Sequence, residues 1–147
     1  MTLRDAGRDQ FPHFLAIPTR WMDNDQYGHV NNVVYYSYFD TAVNQFLIAR
    51  GVLDTAHSEV VGFVVDSGCS YFSPVSFPDL VHAGIRVSKL GNSSVRYEIA
   101  LFRNDDPLPC AAGHFVHVYV ERSNNRAVAI PAAVRSVLET IRSAHDL

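Results

Sequence analysis

Apolar residues occupy every second position in several stretches of the second half of the chain, a spacing that is typical of β-strands. The clearest stretch is Ser94–Arg103, and the same alternation extends over Leu80–Lys89 and Ala111–Glu121. A longer apolar run covers Val60–Tyr71. Glycine, proline and asparagine separate these segments, so the sequence predicts closely spaced strands in an antiparallel meander.

A different spacing covers Asn32–Arg50, where apolar residues recur every three or four positions, as on one face of a helix. Gly51 follows directly, and a glycine in that position commonly ends a helix in the left-handed conformation. The polar strip is narrow, so the helix must be buried on most sides, and the sequence predicts one long central helix. Its two apolar stripes contain Tyr35, Phe39, Ala42, Phe46 and Ala49, and Tyr36, Val43 and Leu47.

Two more elements complete the predicted order. After a polar lead-in over residues 1–12, His13–Trp21 is predicted as a first strand, with Trp21 among its apolar markers. Pro131 is a favourable first residue for a helix and precedes a short amphipathic segment. The predicted order is β-α-β-β-β-β-α, in a single α+β domain over residues 1–147. One antiparallel sheet wrapped around a buried helix covers the apolar surfaces of both.

Composition excludes several classes of function. Twelve basic and fifteen acidic residues give a net charge of −3, without the basic excess that favours binding to a nucleic-acid backbone. The chain has no apolar run of the roughly 18 residues that span a bilayer, and its polar start lacks the apolar stretch of a secretion signal. Cys69 and Cys110 lie too far apart to indicate a disulfide framework or a zinc site. We therefore expect a cytoplasmic protein with no membrane span and no nucleic-acid partner.

The residues that indicate chemistry lie between the first strand and the central helix. Asp23 and Asp25 are two positions apart, and a glycine, His29 and two asparagines follow. A calcium-binding loop begins with a similar spacing, but Tyr27 and Val34 occupy positions where such a loop needs oxygen ligands. We therefore expect no metal ion at this segment.

The other interpretation of the segment is catalysis beside the start of a helix. Free backbone N–H groups and the positive end of the helix dipole can polarise a substrate carbonyl group. A nearby carboxylate can attack that carbonyl or activate a water molecule for the attack. Asp25, followed by Gly28, His29 and the Asn31–Asn32 helix start, fits this arrangement better than it fits an isolated turn residue.

The same segment resembles the hotdog-fold acyl-CoA thioesterases of the 4-hydroxybenzoyl-CoA thioesterase type. Their pattern, D-x-D-x-x-G, then a hydrophobic residue or histidine, then V-x-x-x-x-Y, matches the residues from Asp23 to Tyr35. The resemblance implies a hotdog fold and thioester hydrolysis without a metal or redox cofactor. It also implies that Asp25 is the nucleophile or general base, and that a backbone N–H near Asn32 polarises the thioester carbonyl.

Plant acyl-carrier-protein thioesterases are also similar over this segment, with the pattern D-x-D-x-N-x-H-V-N-N-V-x-Y. This similarity implies catalytic positions for Asp25 and His29, whereas the third catalytic position, an asparagine there, is Tyr27 here. The role of His29 therefore stays open between catalysis and a structural hydrogen bond to the loop. Three later stretches resemble the strand crossing, the hairpin and the last strand of the hotdog thioesterases, namely Tyr71–Asp79, Leu90–Ser94 and His117–Pro131.

Other polar residues have structural explanations. Asp23 is expected to brace the loop against Arg20, and one of the two asparagines to cap the helix. His114 and His117 do not suit a metal site, because residues three apart on a strand point to opposite faces. Six basic residues are candidates for binding CoA phosphates, although most are expected to be solvated and the sequence does not select among them: Arg86, Lys89, Arg96, Arg103, Arg122 and Arg126.

The motif and the resemblance together predict an acyl-CoA thioesterase, with acyl-CoA or an acyl-carrier protein as the substrate partner. Two alternatives stay open: a hotdog acyl-CoA hydratase, although the chain lacks the separate D-x-x-x-x-H segment of such enzymes, and a non-catalytic acyl-CoA-binding module. Charged residues make up 18% of the chain, compared with about 25% in average proteins. Because an isolated sheet also exposes its edge, we expect a homodimer or homotetramer with its active sites at the subunit boundary, as in the family.

Overall fold

The elements of the protein follow the predicted order. The computed structural model describes residues 2–143, and three short 3₁₀ turns accompany the main elements there. The predicted strand and helix patterns in the second half agree with the structure to within one residue at most ends. The elements are β1 (His13–Pro18), α1 (Asn32–Ala49), β2 (Val60–Tyr71), β3 (Leu80–Leu90), β4 (Ser94–Arg103), β5 (Ala111–Glu121) and α2 (Ala132–Glu139).

The five strands form one antiparallel sheet in the order β1-β3-β4-β5-β2. The predicted meander therefore holds for β3, β4 and β5, whereas β2 pairs with β5 and not with its successor in the chain. The connection from β2 to β3 runs past the ends of the intervening strands. Along this path the Phe72 N–H donates to the Cys110 carbonyl (2.8 Å), and the Arg103 guanidinium donates to the Pro74 carbonyl (3.3 Å).

The core lies between one face of the sheet and helix α1, as predicted. Phe39, Val43 and Phe46 of α1 are fully buried, and so are alternate residues of β4, including Tyr97 and Ile99. Because successive side chains of a strand point to opposite faces, the intervening residues of β4 face the other side of the sheet. Among residues 2–143, no helix is both long and apolar enough to cross a membrane.

Both ends of α1 are fixed by local sequence. Asn31 is the N-cap, and its side chain accepts a hydrogen bond from the Val33 N–H (3.1 Å). At the other end Gly51 has a φ of +74°, which is favourable for glycine. The Gly51 N–H donates to the Ile48 carbonyl and the Val52 N–H to the Leu47 carbonyl, a Schellman motif. The predicted helix ends are confirmed.

The lead-in before β1 covers the outer face of the sheet. Phe11 is 4% exposed and packs edge-to-face against Phe102 of β4, with the ring centroids 6.1 Å apart. Gly84 of β3 makes room for it, because a Cβ atom there would lie 2.9 Å from the Phe11 side chain. The Arg8 guanidinium donates to the Asn104 carbonyl and contacts His82 Nδ1. The lead-in is therefore a packed part of the fold, although its composition is polar.

The prediction that the first strand reaches Trp21 is wrong. β1 ends at Pro18, and Trp21 begins a 3₁₀ turn with 77% of its surface exposed. Pro18 has no N–H group to extend the pairing. Two residues later, the Arg20 N–H donates to the Asp23 carboxylate (2.9 Å), which bends the chain into the turn.

Candidate active site

The loop between β1 and α1 is fastened by a buried carboxylate. Asp23 is 1% exposed, and its Oδ1 lies 2.8 Å from the Arg20 guanidinium. Its Oδ2 accepts hydrogen bonds from the Arg20 N–H (2.9 Å) and from the Tyr38 hydroxyl (2.8 Å). Burial raises the pKa of Asp23, but these hydrogen bonds and the Arg20 charge outweigh it and hold the pKa below its ordinary value. The predicted bracing by Arg20 is present, and Tyr38 is an additional partner.

The next residues form a tight turn that presents Asp25. The Asp25 N–H donates to the His29 carbonyl (2.8 Å), and the Gly28 N–H donates to the Asp25 carbonyl (3.1 Å). Gly28 has a φ of +80°, a backbone conformation that most other residues disfavour. The turn needs a glycine here, so the glycine of the motif has a structural role.

The Asp25 carboxylate is held by one oxygen and available through the other. Its Oδ1 accepts a hydrogen bond from the Tyr27 N–H (2.8 Å), whereas Oδ2 has no hydrogen-bond partner within residues 2–143. The side chain is half-buried and borders an open depression that Trp21 and Met22 also line. These two residues are 77% and 81% exposed, so the carboxylate lies beside an uncovered apolar surface.

The start of α1 offers a backbone donor close by in the chain. Asn31 satisfies the N–H of Val33 with its side chain and the N–H of Val34 with its carbonyl. The Asn32 N–H makes no hydrogen bond in the part of the chain that the structure describes, as expected for the first residue of a helix. The Tyr71 hydroxyl donates to the Asn32 carbonyl (3.3 Å), which ties the end of β2 to the same place.

His29 contacts Asp25 only through a backbone hydrogen bond, from the Asp25 N–H to the His29 carbonyl. Its side chain is exposed, and its ring has no hydrogen bond to any residue in 2–143. The structural bond from this ring to the loop, one of the two roles left open, is therefore not found among the described residues. The three predicted residues, Asp25, His29 and Asn32, lie on one loop and the helix start that follows it.

The loop is also docked on the connection between β2 and β3. The Val30 N–H donates to the Val75 carbonyl (2.7 Å), and the Ser76 hydroxyl donates to the Gly28 carbonyl (2.8 Å). The Asn24 side chain accepts a hydrogen bond from the N–H of the following residue in the connection, Phe77 (3.0 Å). These contacts join residues about 45–53 positions apart, and no local pattern in the sequence indicates them.

Aromatic residues and a thiol form a wall behind the helix start. Tyr35 and Tyr71 pack edge-to-face at 4.9 Å, and burial raises the pKa of each to about 12. Burial likewise raises the pKa of the Cys69 thiol to about 11. At neutral pH all three groups are protonated, so Cys69 does not compete with Asp25 as a nucleophile.

The two histidines of β5 lie on opposite faces of the strand, as their spacing predicts. His114 Nε2 lies 2.9 Å from the Asp66 carboxylate, whereas His117, on the opposite face of β5, is buried. Within residues 2–143 no three His, Cys, Asp or Glu side chains are arranged to hold a metal ion.

Three of the six basic residues that are candidates for binding CoA phosphates have partners within the protein. Arg86 forms an ion pair with Glu98, and Arg103 forms one with Asp106 and also donates to the Pro74 carbonyl. Arg122 donates to the Thr55 carbonyl.

Known proteins resemble this chain over most of its length. A family model for the thioesterase-like superfamily matches residues 19–138. A solved structure from Pseudomonas aeruginosa strain PAO1 is 56% identical, covers 94% of this chain and 96% of its own, and has a TM-score of 0.92. A thioesterase from Thermus thermophilus, solved with coenzyme A and Zn, is 29% identical over 90% of this chain and 96% of its own, with a TM-score of 0.75. A chloroplastic acyl-acyl carrier protein thioesterase of Arabidopsis thaliana is 26% identical over 88% of this chain and 68% of its own.

Proposed function

The chain belongs to the thioesterase-like superfamily, and from this premise we propose that it is an acyl-CoA thioesterase that uses Asp25 as its nucleophile or general base. The hotdog fold and the thioester-hydrolysing activity implied by the sequence are confirmed by this membership and by the structural neighbours. The observation that carries the finer proposal is an Asp25 carboxylate oxygen without a hydrogen bond from residues 2–143, on the loop that leads to an Asn32 N–H that these residues also leave unpaired.

As a general base, Asp25 takes a proton from a water molecule while the water oxygen attacks the thioester carbon. The carbon–sulfur bond then breaks, the proton held by Asp25 passes to the departing thiolate, and the products are a free carboxylic acid and CoA. As a nucleophile, the carboxylate attacks the carbon itself, CoA leaves, and water hydrolyses the resulting anhydride. In both routes negative charge develops on the thioester oxygen, where the Asn32 N–H donates a hydrogen bond.

His29 is the proposed helper at this site. Its ring is exposed and unengaged by residues 2–143, and its carbonyl is bonded to the Asp25 N–H, so it lies on the same turn. From there the ring can pass a proton to the departing thiolate. This role adds to the reaction but is not required for the attack on the carbonyl.

The CoA part of the substrate is favoured by the Thermus thermophilus relative, which was solved with coenzyme A. An acyl-carrier protein is the second candidate, because the Arabidopsis thaliana relative is named for that substrate. The cytoplasmic location and the absence of a nucleic-acid partner stay predictions.

The function is tested with a thiol-reactive dye that reports released CoA or carrier-protein thiol, over a panel of aliphatic and aromatic acyl-CoAs and matched acyl-carrier proteins. We expect turnover of at least one acyl-CoA, with the acid and CoA formed in equal amounts. Binding without turnover across the panel would favour the binding module. Addition of water to an enoyl-CoA without thiol release would favour the hydratase.

We propose a homodimer or homotetramer as the active form. β2 pairs only with β5 within residues 2–143, so one edge of the sheet has open hydrogen-bonding groups. The same strand exposes large apolar side chains, and the site beside Asp25 is open. Light scattering should give at least twice the 16.4 kDa of one chain, and a stable monomer at micromolar concentration would contradict this. The exposed residues of β2 are Phe63, Val64, Val65 and Tyr71.

A further inference from the structure

The turn that presents Asp25 is held by hydrogen bonds and hardly by packing. Residues 26–29 are exposed, and a Cβ atom added at Gly28 would meet no atom within 4 Å beyond its chain neighbours. The Asp25 N–H donates to the His29 carbonyl, and the Gly28 N–H donates to the Asp25 carbonyl. These bonds link residues of the turn to one another and not to the rest of the protein.

One side chain ties this turn to the rest of the fold. The Ser76 hydroxyl, on the connection between β2 and β3, donates to the Gly28 carbonyl (2.8 Å). In the part of the chain that the structure describes, this is the one hydrogen bond that reaches residues 25–29 from outside that segment. The flanking residues Asn24 and Val30 are held separately by backbone groups of the same connection. Between these two anchors, the place of the turn depends on Ser76.

Ser76 is itself fixed by the segment that carries it. Its N–H donates to the Asp79 carboxylate (3.0 Å), and its carbonyl accepts a hydrogen bond from the Asp79 N–H (2.8 Å). The other Asp79 oxygen accepts a hydrogen bond from the side chain of Asn104 (3.0 Å), which directly follows β4. The hydroxyl therefore belongs to a segment that is bonded to the end of the sheet, and it can hold the turn in one place.

The contacts of Ser76 separate it from the residues that can touch a substrate. The depression beside Asp25 is lined by Trp21, Met22 and Gly28 among others, and Ser76 does not line it. A residue outside the depression can act on the reaction only through the turn. Such an effect can still be large, since a misplacement of about 1 Å can lower a rate by about 10²-fold.

From these contacts we propose that Ser76 is a positioning residue: its hydroxyl sets, through the Gly28 carbonyl, the place of the Asp25 carboxylate relative to the Asn32 N–H. The catalytic part of this proposal rests on the proposed function, whereas the fixing of the turn by Ser76 does not. No atom of Ser76 takes part in the making or breaking of a bond. Loss of the hydroxyl should therefore lower kcat and leave KM nearly unchanged.

The first measurement is steady-state hydrolysis of the best acyl-CoA of the panel by the full-length protein. Ser76→Ala should lower kcat about tenfold, less than the loss of the carboxylate itself. Ser76→Thr keeps a hydroxyl and should recover most of the rate. Ser73→Ala is the matched control and should keep the wild-type kcat, because this serine of the same connection is exposed and its hydroxyl makes no hydrogen bond within residues 2–143.

A double-mutant cycle shows whether Ser76 acts through Asp25. In an Asp25→Asn background, Ser76→Ala should have little further effect on kcat, because the group that it positions is already lost. Additive losses would overturn the proposal, and so would a wild-type kcat in Ser76→Ala or an equal loss in Ser73→Ala. Melting curves of Ser76→Ala should stay close to those of the wild type, since water can bond the exposed Gly28 carbonyl in place of the hydroxyl.

Amide hydrogen exchange tests the turn without any substrate. The N–H groups of Asp25 and Gly28 should exchange about three- to tenfold faster in Ser76→Ala than in the wild type, the size of one lost hydrogen bond. In Ser73→Ala they should exchange at the wild-type rate. Unchanged exchange in Ser76→Ala would overturn the proposal, whatever the activity of the variant.

The exchange and the kinetics make the two proposals fail in different ways. If the wild type hydrolyses no acyl-CoA, or Asp25→Asn keeps its kcat, while exchange is faster in Ser76→Ala, the proposed function is wrong and the fixing of the turn by Ser76 stands. If hydrolysis depends on Asp25 but Ser76→Ala matches the wild type in kcat and exchange, the positioning proposal is wrong and the proposed function stands.

Discussion

Two buried polar side chains, one beside each end of helix α1, differ in how many hydrogen-bond partners they have. Beside the start of the helix, Asp23 is buried, and Arg20 and Tyr38 satisfy both of its oxygens. Beside the later half of the helix, His117 is equally buried and has no partner within residues 2–143. The first arrangement fixes the loop that carries Asp25, whereas the second leaves the ring nitrogens of His117 enclosed and without a hydrogen bond from residues 2–143.

The same contrast appears in the charge of the two groups. Both have a pKa below the ordinary value, but hydrogen bonds to Arg20 and Tyr38 overcome the effect of burial at Asp23, whereas burial itself causes the shift at His117. Asp23 is therefore charged at neutral pH and His117 is not. Burying a charge is costly unless it is paired and hydrogen-bonded, whereas burying a neutral ring costs less.

The largest expected effect is at the start of the helix. Asp25→Asn removes the base or nucleophile and should lower kcat by about 10²–10⁴-fold, the usual contribution of general-base catalysis. KM should change little, because the carboxylate acts in the transition state and the neutral amide has the same shape. Steady-state assays on the best substrate of the panel measure both. A near-native kcat would remove Asp25 from the mechanism.

The second effect belongs to His117 and depends on pH. In the unfolded chain this histidine binds a proton near pH 6.5, but in the folded protein only near pH 4. Stability is therefore lost as the pH falls from 6.5 toward 4, by up to about 3 kcal/mol for a difference of this size. Urea unfolding at fixed protein concentration measures the loss. In His117→Phe this part of the pH dependence should be missing, and an unchanged slope would contradict the burial of a neutral ring.

A third prediction separates the two aspartates of the motif. Asp23→Asn loses the charge on a buried, hydrogen-bonded group and should reduce the free energy of unfolding by about 2 kcal/mol. Asp25→Asn is the matched control, since its half-buried carboxylate has one hydrogen bond and its loss should barely change stability. Thermal unfolding of both variants measures the difference. Equal stability of the two variants would mean that the loop does not depend on Asp23.

Low pH should weaken the stabilisation that the Asp23 carboxylate gives to the loop in the wild type. Because hydrogen bonds hold the folded pKa of Asp23 below its unfolded value of 3.8, its contribution is present above about pH 3.8. The contribution is lost as the pH falls through the lower folded value. This window lies below that of His117, so a titration that compares the wild type with Asp23→Asn and His117→Phe resolves the two ends of the helix.

A smaller effect is expected for Tyr38→Phe. This change removes one of the two hydrogen bonds at Asp23 Oδ2 and leaves the ring, and it should cost about 1 kcal/mol of stability. Combined with Asp23→Asn, the two costs should be less than additive, because each change removes the same contact. Denaturant unfolding of the two single variants and the double variant measures the coupling. Simple additivity would show that the hydroxyl contributes independently of Asp23.

The smallest expected effect is that of chelation. Within residues 2–143 no set of side chains suits a metal ion, and the mechanism proposed for Asp25 uses none. Dialysis against EDTA should leave kcat unchanged. Loss of activity that a divalent ion restores would show that catalysis depends on a metal and would overturn this prediction.

Residues with local signals could be predicted from the sequence. The apolar run of β2 and the alternation in β4 and β5 indicate their boundaries. Asn31 and Gly51 mark the ends of α1, because capping depends on neighbouring residues only. The strand prediction at Trp21 is wrong because an aromatic residue also suits a strand, whereas the turn at this place depends on the ion pair between Arg20 and Asp23.

Contacts between distant residues could not be predicted. The bond between Tyr38 and Asp23 joins a helix to a loop, and the pairing of β2 with β5 skips two strands of the chain. The alternation on β5 places His117 with its buried neighbours, but the space that its ring occupies depends on Gly62 of the adjacent strand. Only the fold brings these residues together.

The packing of the lead-in has a practical consequence for handling the protein. In the sequence, residues 1–12 have the composition of a tail that an expression design would trim or fuse to an affinity tag. In the fold, Phe11 fills the space over Gly84 and covers Phe102, so trimming would uncover the outer face of the sheet. A freshly exposed apolar sheet face promotes aggregation. Poor solubility of such a shortened protein would reflect the missing cover and not a defect of the catalytic loop.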